Sequence, residues 1–324
     1  MAPLVAVTGA TGFVGQALVP RLLAAGHRVR ILARQLPQFA PGGAGPVELV
    51  LGDLGQADAL DRLVEGADAV LHLAGLVKAA RKADFFAVNR DGVAALLAAI
   101  ARRAASHRPD GQGGGPRFIL LSSLAAREPG LSPYAASKRA GEEALRHTAH
   151  GLPWLALRAP VVYGPGDRET LAFFKAAQRG FAPVAGDGSG RISAIHVEDL
   201  AELLCRLATA YLPLADAYEA DDGAPDGYSL GEFAQAAAGA LGRPVRPVKL
   251  PRPVMAAAAS SVQALTMLDG RPRILSPAKV REMFHPDWVS RDRRLAAFLG
   301  WSARIRLAEG FAGTIAWYRR RRWL

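Results

Sequence analysis

The first fifteen residues constrain the fold of this chain more than any other stretch does. Residues 4–7 form a short apolar run typical of a buried strand, and residues 16–25 carry apolar residues at helical spacing. Between them stands the glycine-rich turn Thr8-Gly9-Ala10-Thr11-Gly12-Phe13-Val14-Gly15. Glycine lets the backbone come close to a ligand, and a helix N-terminus offers unpaired N–H groups and a partial positive charge. The segment therefore predicts a strand–turn–helix cradle for a pyrophosphate group.

The rest of the composition is typical of a large globular enzyme. The chain has 324 residues, of which 50% are hydrophobic and 21% charged, enough for one large domain or two coupled ones. Its single cysteine, Cys205, excludes an intrachain disulfide and indicates a reducing compartment, so we expect a cytoplasmic location. We see no signal-peptide pattern and no apolar run of membrane-spanning length, and we predict no metal site.

The formal net charge of +11 is concentrated in the last quarter of the chain. Residues 240–324 carry 17 Lys and Arg against 5 Asp and Glu, whereas residues 1–239 carry 23 against 24. Such an excess suits an anionic substrate, an anionic membrane surface, nucleic acid, or a solvated basic face. We favour the solvated face, and we predict no nucleic-acid partner because no known binding module is present.

Strand and helix patterns alternate over the first 160 residues. Strands are predicted near residues 27–33, 47–51, 69–75, 118–121 and 154–159, with helices between them, including one over 137–149. This alternation predicts an α/β fold: a Rossmann-type, doubly wound parallel sheet that binds ligands at the carboxyl ends of its strands. We expect residues 1–160 to form the nucleotide-binding domain, with 191–210 returning to it. Residues 161–324 would form mainly a smaller C-terminal substrate-binding lobe and a basic C-terminal helix.

The end of the second strand bears on the choice of cofactor. In a Rossmann unit, an acidic residue at this position binds the ribose 2′-hydroxyl of NAD, and an arginine accommodates the 2′-phosphate of NADP. The strand ends at Arg34, and no Asp or Glu stands beside it. We therefore expect NADP(H) to be preferred, with NAD(H) as the alternative.

Tyr134 and Lys138 are four residues apart, which places them on one face of a helix. A free tyrosine has a pKa of about 10, and a nearby ammonium group is expected to lower it towards the range of a general acid–base. Ser123, at the end of the fifth strand, is placed to hydrogen-bond a substrate oxygen. Asn89, at the start of the helix after the fourth strand, is expected to hold a water or the backbone in a proton path.

With these residues assembled, the chain resembles the extended, epimerase/dehydratase-like branch of the short-chain dehydrogenase/reductase superfamily. The resemblance spans nearly the whole chain. The pieces that carry it are Thr8-Gly9-x-x-Gly12-x-x-Gly15, Gly52-Asp53-Leu54, His72-Leu73-Ala74-Gly75, Val88-Asn89, Ser122-Ser123, Tyr134-x-x-x-Lys138, residues 158–166 and His196-Val197-Glu198-Asp199.

The resemblance implies a role for each matching position. Tyr134 would be the catalytic acid–base, Lys138 would hold the nicotinamide ribose and lower the pKa of the tyrosine, and Ser123 would polarise the reacting C–O bond. Further cofactor contacts would come from the glycine-rich turn and from Arg34, Asp53, Leu54, Leu73, Ala74, Gly75, Ser122, Pro160 and Val161. Hydride would pass between the nicotinamide and a carbon of a small-molecule substrate.

Three departures weaken the nucleotide-sugar interpretation. Tyr134 stands only eleven positions after Ser123, no Thr-Asp-Glu triplet follows the fifth strand, and Ile192 stands where many sugar-nucleotide enzymes have a diphosphate-binding arginine. Arg191, one position earlier, is expected to be structural. We therefore predict an NAD(P)-dependent oxidoreductase acting on a carbonyl or hydroxyl compound. The alternatives are a nucleotide-sugar epimerase and a non-catalytic NADP(H)-binding accessory protein.

The C-terminus, Trp317-Tyr318-Arg319-Arg320-Arg321-Arg322-Trp323-Leu324, has two interpretations. Aromatic residues beside arginines suit weak peripheral contact with an anionic membrane, here the inner face. Alternatively, Trp317 packs on the lobe while the arginines favour the negative end of the helix dipole, and we prefer this interpretation. Relatives often dimerise through the helix that carries the Tyr-x-x-x-Lys motif, so we also expect a homodimer.

Overall fold

The apolar run at the start of the chain forms a central strand of the main sheet, with all five of its residues buried. This arrangement comes from a computed structural model, which describes residues 2–36, 47–106, 115–149, 151–210 and 215–324. The stretches 41–46 and 108–117 are rich in glycine and proline, which predicts loops; the first lies outside these ranges, as does most of the second.

The described residues contain the following elements. The strands are β1 (Leu4–Thr8), β2 (Arg28–Ala33), β3 (Val47–Leu51), β4 (Ala69–His72), β5 (Arg117–Ser123), β6 (Trp154–Ala159), β7 (Val161–Tyr163), β8 (Phe181–Ala185), β9 (Arg191–Ile192), β10 (Ala194–His196), β11 (Asp216–Glu219), β12 (Tyr228–Ser229), β13 (Arg246–Leu250) and β14 (Asp287–Trp288). The helices are α1 (Phe13–Ala24), α2 (Ala57–Val64), α3 (Lys82–Phe86), α4 (Gly92–Ser106), α5 (Pro133–Thr148), α6 (Leu171–Gln178), α7 (Val197–Leu207), α8 (Leu230–Leu241), α9 (Arg252–Asp269), α10 (Pro277–Met283), α11 (Arg294–Leu299) and α12 (Leu307–Arg320).

Seven parallel strands form the main sheet, in the order β11-β6-β5-β4-β1-β2-β3. This confirms the predicted doubly wound α/β fold. β1 lies between β4 and β2, so the chain leaves β1 in one direction and returns to its other side later. At such a switch point the loops after neighbouring strands diverge and open a crevice for a ligand. The glycine-rich turn lies at this crevice.

Helices cover both faces of the sheet. On one face, Leu18 and Leu22 of α1 share a buried core with Leu200 and Leu203 of α7. On the other face, α2 and α4 bury their leucines against the strands. Each fully buried leucine stabilises the fold by about 1.5–3 kcal/mol, so these two layers fix the sheet that positions the turn.

Two elements of the sheet region differ from the prediction. The helix predicted from residue 137 begins at Pro133, because the Ser132 side chain accepts a hydrogen bond from the backbone N–H of Ala135 and caps it. This places Tyr134 in the first turn of α5. The sheet also gains β11, which pairs with β6 and which the sequence did not predict.

The remainder of the chain forms a lobe with small sheets and its own cores. Strands β7 and β10 pair, β9 lies between β12 and β14, and β8 pairs with β13. One core is aromatic and includes Tyr163, Phe174, Phe233, Phe311 and Tyr318. A second, small core of Met255, Ala259 and Val280 joins α9 to α10. Among the described residues, no helix combines the length and the apolar character needed to cross a bilayer.

Candidate active site

The turn after β1 is shaped by two glycines that no larger residue can replace without moving the backbone. Gly9 has φ +72°, and a Cβ atom there would lie 2.6 Å from the backbone nitrogen of Ala74. A Cβ atom on Gly15 would lie 2.3 Å from the carbonyl oxygen of Gly9. Such distances are not tolerated, so the turn keeps the start of α1 tight against the end of β1.

The N-terminus of α1 is open towards a large cavity. No side chain caps it, and its first turn holds no acidic residue. Thr11, Gly12, Phe13 and Val14 all line the cavity. Free N–H groups, the positive end of the helix dipole and the glycine turn together fit a pyrophosphate group. The predicted turn residues are therefore in place to hold a dinucleotide.

Thr8 lies beneath the turn and not in the cavity wall. It is fully buried, and its Oγ1 lies 2.6 Å from Nδ1 of His72 and accepts a hydrogen bond from the backbone N–H of Ala74 at 3.3 Å. Burial lowers the pKa of His72 to about 3, and the charge of Lys138 adds to this effect. The imidazole is therefore neutral at physiological pH, and the pair ties the loop after β4 to β1.

The residues predicted for the adenosine end lie at the carboxyl ends of β2 and β3. Arg34 follows β2 directly, is exposed, and has no carboxylate partner among the described residues. Asp53 is exposed, and its Oδ1 accepts a hydrogen bond from the backbone N–H of Gly55 at 2.8 Å. Leu54 is half-buried against the core between α2 and the sheet. They do not line the cavity itself, but they share the edge of the sheet to which it opens.

Ser123, Tyr134 and Lys138 are brought together on one wall of the cavity, which we call the catalytic wall. β5 ends at Ser123 and α5 carries the other two. The hydroxyl groups of Ser123 and Tyr134 are close enough for Ser123 to lower the pKa of the phenol. Leu73, Gly75, Ser122, Pro160 and Val161, all predicted to touch the cofactor, line the same cavity. The structure thus places the predicted catalytic groups beside the predicted cofactor path.

The ionisation of Tyr134 differs from the prediction. The sequence suggested that Lys138 lowers the pKa of this phenol. Instead, burial raises the pKa of Tyr134 to about 12; the hydrogen bond from Ser123 lowers it, and the charge of Glu282 raises it further. The cost of burying a phenolate outweighs the hydrogen bond. The phenol is therefore protonated at neutral pH, which makes it a proton donor.

Lys138 is buried, and its ammonium group donates to the carbonyl oxygen of Leu121 at 2.6 Å. Burial lowers the pKa of Lys138 to about 8, although the nearby carboxylate of Glu142 opposes that shift. A Cβ atom on Gly75 would lie 3.7 Å from its Nζ. The absent side chain at Gly75 leaves room beside the ammonium group, where a ribose hydroxyl group fits.

Asn89 holds the backbone, one of the two roles expected of it. It is buried in a wide π-helical turn over Ala87–Asp91 that leads into α4. Its Oδ1 accepts a hydrogen bond from the backbone N–H of Leu76 at 2.9 Å. Its Nδ2 donates hydrogen bonds to the carbonyl oxygen of Leu76 at 3.0 Å and to Oγ of Ser137 at 2.8 Å. Ser137 in turn donates to the carbonyl oxygen of Tyr134 at 2.8 Å. Asn89 therefore links the loop after β4 to the first turn of α5.

Ser122 also has a structural partner. Its hydroxyl donates to Glu142, which is buried and forms an ion pair with Arg158 at 2.7 Å. This network joins β5, β6 and α5 behind the catalytic wall. It explains why α5 keeps a fixed position relative to the end of β5.

The far half of the cavity is formed by the C-terminal lobe. The whole cavity has a volume of about 1060 Å³. Its lobe half has apolar walls formed by Ile192, Leu230, Ile274, Met283 and Trp288, beside charged residues that include Arg191, Lys279 and Glu282. We call this the substrate half.

Glu282 is a buried carboxylate in the substrate half, and sequence analysis missed it. Its buried carboxylate accepts hydrogen bonds from the Ser132 hydroxyl and from Lys279, the latter at 2.7 Å. It lines the cavity and influences the pKa of Tyr134. The Ser-Pro pair that begins α5 was a signal for Ser132, but nothing in the sequence linked it to a residue 150 positions away.

Arg191 is engaged in the structure of the lobe, as expected. Its guanidinium donates to the carbonyl oxygens of Asp226 and Gly227, at 2.9 and 3.0 Å, and pairs with Glu232 at 3.0 Å. Lys279 of the substrate half pairs with Glu282, whereas Arg168 and Arg321 lie over the rings of Trp323 and Trp317. Of the four Lys and Arg of the lobe that line the cavity within the described residues, Arg191 and Lys279 therefore have a carboxylate partner.

The sequence also matches a protein-family model. The model described as the NAD dependent epimerase/dehydratase family matches residues 5–216, which run from β1 to the start of β11. The chain belongs to this family. The predicted membership of the extended short-chain dehydrogenase/reductases is thereby confirmed, and the chain is an NAD(P)-dependent oxidoreductase or epimerase that uses a nicotinamide cofactor.

Similar proteins agree with the family and its fold. The chain is 43% identical to a ceramide reductase of Caulobacter vibrioides, over 99% of this chain and 96% of that one. Its fold is similar to that of MoeE5 in complex with UDP-glucose and NAD, with a TM-score of 0.74 at 24% identity over 99% of both chains. It is also similar to the human epimerase family protein SDR39U1 with NADPH, with a TM-score of 0.71 at 20% identity over 97% and 99% of the chains.

The aromatic residues at the C-terminus of the chain pack against its own C-terminal lobe. Tyr318 is buried and donates to the carbonyl oxygen of Asp167 at 2.6 Å. The rings of Trp317 and Trp323 lie 4.9 Å apart, and Trp323 stacks on Tyr318 at 5.7 Å. Arg319–Arg322 remain exposed. The tail therefore offers the solvent charge and little apolar surface.

Proposed function

We propose that this chain is an NADPH-dependent reductase that converts the ketone of a ceramide-class lipid into a hydroxyl group. The observation that carries the proposal is the substrate half of the cavity, with apolar walls that suit an alkyl chain. The 43% identical relative, named a ceramide reductase, supports the same class of substrate. A ceramide bears a secondary hydroxyl beside an N-acylated carbon, so the corresponding ketone is the substrate that such a reductase requires.

The state of Arg191 and Lys279, two of the four Lys and Arg of the substrate half, argues against a nucleotide-sugar substrate. A diphosphate bound in the substrate half needs positive partners, because burying an unpaired anion is costly. Arg191 is held by Glu232 and two carbonyl groups, and Lys279 is held by Glu282. We therefore place epimerase activity on a nucleotide sugar second.

Glu282 supplies a buried hydrogen-bond acceptor beside the apolar walls of the substrate half. A carboxylate accepts hydrogen bonds, and a ceramide-class lipid offers an amide N–H and a hydroxyl as donors. We propose that Glu282 accepts hydrogen bonds from the polar end of the lipid, while the alkyl chains of the lipid lie on Ile274 and Met283. Lys279 and Ser132 hold the carboxylate in place.

The catalytic wall provides a proton at the reacting oxygen. When bound, the nicotinamide cofactor supplies the hydride to the carbonyl carbon. The protonated Tyr134 donates its phenolic proton to the carbonyl oxygen, and Ser123 hydrogen-bonds the same oxygen. Lys138 holds a ribose hydroxyl, and Asn89 is a positioning residue that keeps α5 against the loop after β4.

Three further expectations belong to this proposal. Arg34, which is exposed and has no carboxylate partner among the described residues, supports a preference for NADP(H), because a guanidinium at this position can meet a 2′-phosphate. The packing of α7 on α1 supports a nucleotide-binding part made of residues 1–160 and 191–210, to which we add β11. A homodimer through α5 and weak contact of the C-terminal arginines with a membrane stay predictions.

A substrate comparison tests the proposal. We expect the purified chain to oxidise NADPH with an N-acylated 3-keto long-chain base and not with UDP-glucose. Tyr134→Phe is expected to slow turnover by about 10²–10⁴-fold, as is typical for loss of a general acid. Tyr228→Phe removes a hydroxyl bound to Asp222, outside the cavity wall, and serves as the control. Consumption of UDP-glucose without net NADPH oxidation would favour the epimerase.

A further inference from the structure

The outer side of α9 is an apolar stripe that nothing in the described chain covers. Val254, Leu265 and Leu268 are 57%, 52% and 84% exposed. Their spacing places them on one face of the helix, with Ala257, Ala258, Ser261 and Ala264 between them. We call these seven residues the α9 stripe. The opposite side of α9 is anchored by Met255, Ala259 and Thr266, so the exposure does not come from a loosely attached helix.

The surroundings of the α9 stripe are strongly basic. Residues 246–281 carry seven Lys and Arg and one Asp. Arg252 begins α9, Arg271 follows its end, and both are exposed without a carboxylate partner among the described residues. The one acid, Asp269, is paired with Arg273. An apolar stripe with cations at both ends complements an anionic lipid surface, since the stripe enters the acyl region while the cations meet the headgroups.

The α9 stripe also lies beside the mouth of the active-site cavity. Ile274, which follows α9, and Met283, at the end of α10, line the substrate half and are 39% and 41% exposed. Residues that both line a cavity and face the solvent mark its opening. α10 is joined to α9 through the small core of Met255, Ala259 and Val280. The opening and the stripe are therefore held together as one unit.

We infer that the α9 stripe is a membrane-docking face that seats the protein on an anionic bilayer with the substrate opening next to the lipid. A water-insoluble substrate then passes from the bilayer past Ile274 and Met283 without crossing bulk water. The role of the docking face in substrate delivery rests on the proposed function. Its position on the protein rests on the α9 stripe and the cations around it. We assign the apolar contact to α9, 18 residues long, rather than to the C-terminal tail, whose aromatic residues are packed.

Vesicle binding of the full chain tests this inference without any turnover. The probes are vesicles of phosphatidylcholine alone and of phosphatidylcholine with about one quarter phosphatidylglycerol, which supplies the negative surface. We expect the chain to co-sediment with the anionic vesicles. The double variant Leu265→Ser/Leu268→Ser is expected to weaken that binding by about tenfold or more, because two large apolar side chains are lost from the contact. Phe298→Ser, on α11, removes an exposed apolar residue elsewhere and is expected to bind like the unmodified chain.

Each other outcome overturns the inference. The chain fails to bind anionic vesicles, or the double variant binds them as well as the unmodified chain does. In a third outcome, sedimentation velocity shows that the unmodified chain is a dimer and the double variant a monomer, and neither binds vesicles. The last would make the α9 stripe an interface between two copies. Unchanged NADPH affinity shows that the variants are folded. Reduction of detergent-dispersed substrate without vesicle binding leaves the reductase proposal standing, whereas vesicle binding without reduction removes that proposal and keeps the docking face.

Discussion

The ammonium group of Lys138 lies 2.6 Å from the carbonyl oxygen of Leu121, two residues before Ser123 on the same strand. This bond fixes the middle of the catalytic wall before any ligand arrives. It also keeps a charge in a buried place, where the pKa of Lys138 falls to about 8. The site is thus organised for chemistry at the expense of stability.

Lys138→Met is expected to stabilise the fold while it removes activity. A lysine with a pKa of about 8 in the folded state and 10.5 as its ordinary value destabilises the folded state at pH 7 by about 3 kcal/mol. The Leu121 carbonyl loses its donor, so we expect a net gain of about 1–2 kcal/mol in the free energy of unfolding. Urea denaturation at pH 7 without cofactor measures this gain.

The pH dependence of the same variant provides its control. Because the folded-state pKa of Lys138 is depressed, the unfolded state binds more protons between pH 8 and 10.5, and the unmodified protein gains stability as the pH rises through that window. The advantage of Lys138→Met must therefore shrink between pH 8 and 10. An advantage that stays constant over this range would show that buried charge is not its cause.

Gly15→Ala is expected to abolish the fit of the cofactor cradle. The new Cβ atom would lie 2.3 Å from the carbonyl oxygen of Gly9, so the turn must open. We expect NADPH affinity to fall by about tenfold or more, measured by fluorescence titration. Gly313→Ala, in the interior of α12, meets nothing within 4 Å and serves as the matched control. Equal affinity of Gly15→Ala and the unmodified chain would contradict the proposed cradle.

Arg34→Ala tests the cofactor preference. A guanidinium at the end of β2 is placed to bind a 2′-phosphate, and a charged hydrogen bond of this kind changes affinity by about tenfold to a hundredfold. We expect the variant to lose that much NADPH affinity and to keep its NADH affinity. Arg28→Ala, at the other end of the same strand and paired with Glu48, should change neither. Tighter binding of NADH than of NADPH by the unmodified chain would overturn the NADP(H) preference.

Glu282→Gln tests recognition of the polar end of the lipid. The substitution keeps the shape of the side chain and removes its charge, so the hydrogen bonds to an amide N–H or a hydroxyl weaken. We expect the KM for the keto-lipid to rise by about tenfold while the KM for NADPH is unchanged. Glu143→Gln, on the exposed side of α5, is the control. A lower kcat with both KM values unchanged would instead assign Glu282 a role in the chemical step.

Much of the cofactor half was predictable because its signals are local. The glycine turn, the strand ends at Ser123 and Arg34, and the spacing of Tyr134 and Lys138 each depend on neighbouring residues. The start of α5 was placed too late because the Ser132 cap and the proline after it were overlooked. β11 was missed because it is a four-residue edge strand with charged ends, which lacks the apolar run of the inner strands.

The substrate half was not predictable because it is assembled from distant segments. Glu282 and Ser132 meet across 150 positions, and the apolar walls come from β9, α8, α10 and the turns around them. The pKa of Tyr134 was predicted in the wrong direction because its burial cannot be read from the spacing to Lys138. The face of α9 that stays exposed is likewise visible only in the tertiary structure.

Transfer of deuterium tests the central claim most directly. The chain is incubated with NADPH deuterated at the reactive C4 position and the N-acylated 3-keto long-chain base, and the lipid product is analysed by mass spectrometry. The account predicts one deuterium on the carbon that bears the new hydroxyl, formed in step with NADPH oxidation and much more slowly by Tyr134→Phe. Recovery of the keto-lipid without deuterium, beside a UDP-sugar that is epimerised with no net cofactor oxidation, would contradict it.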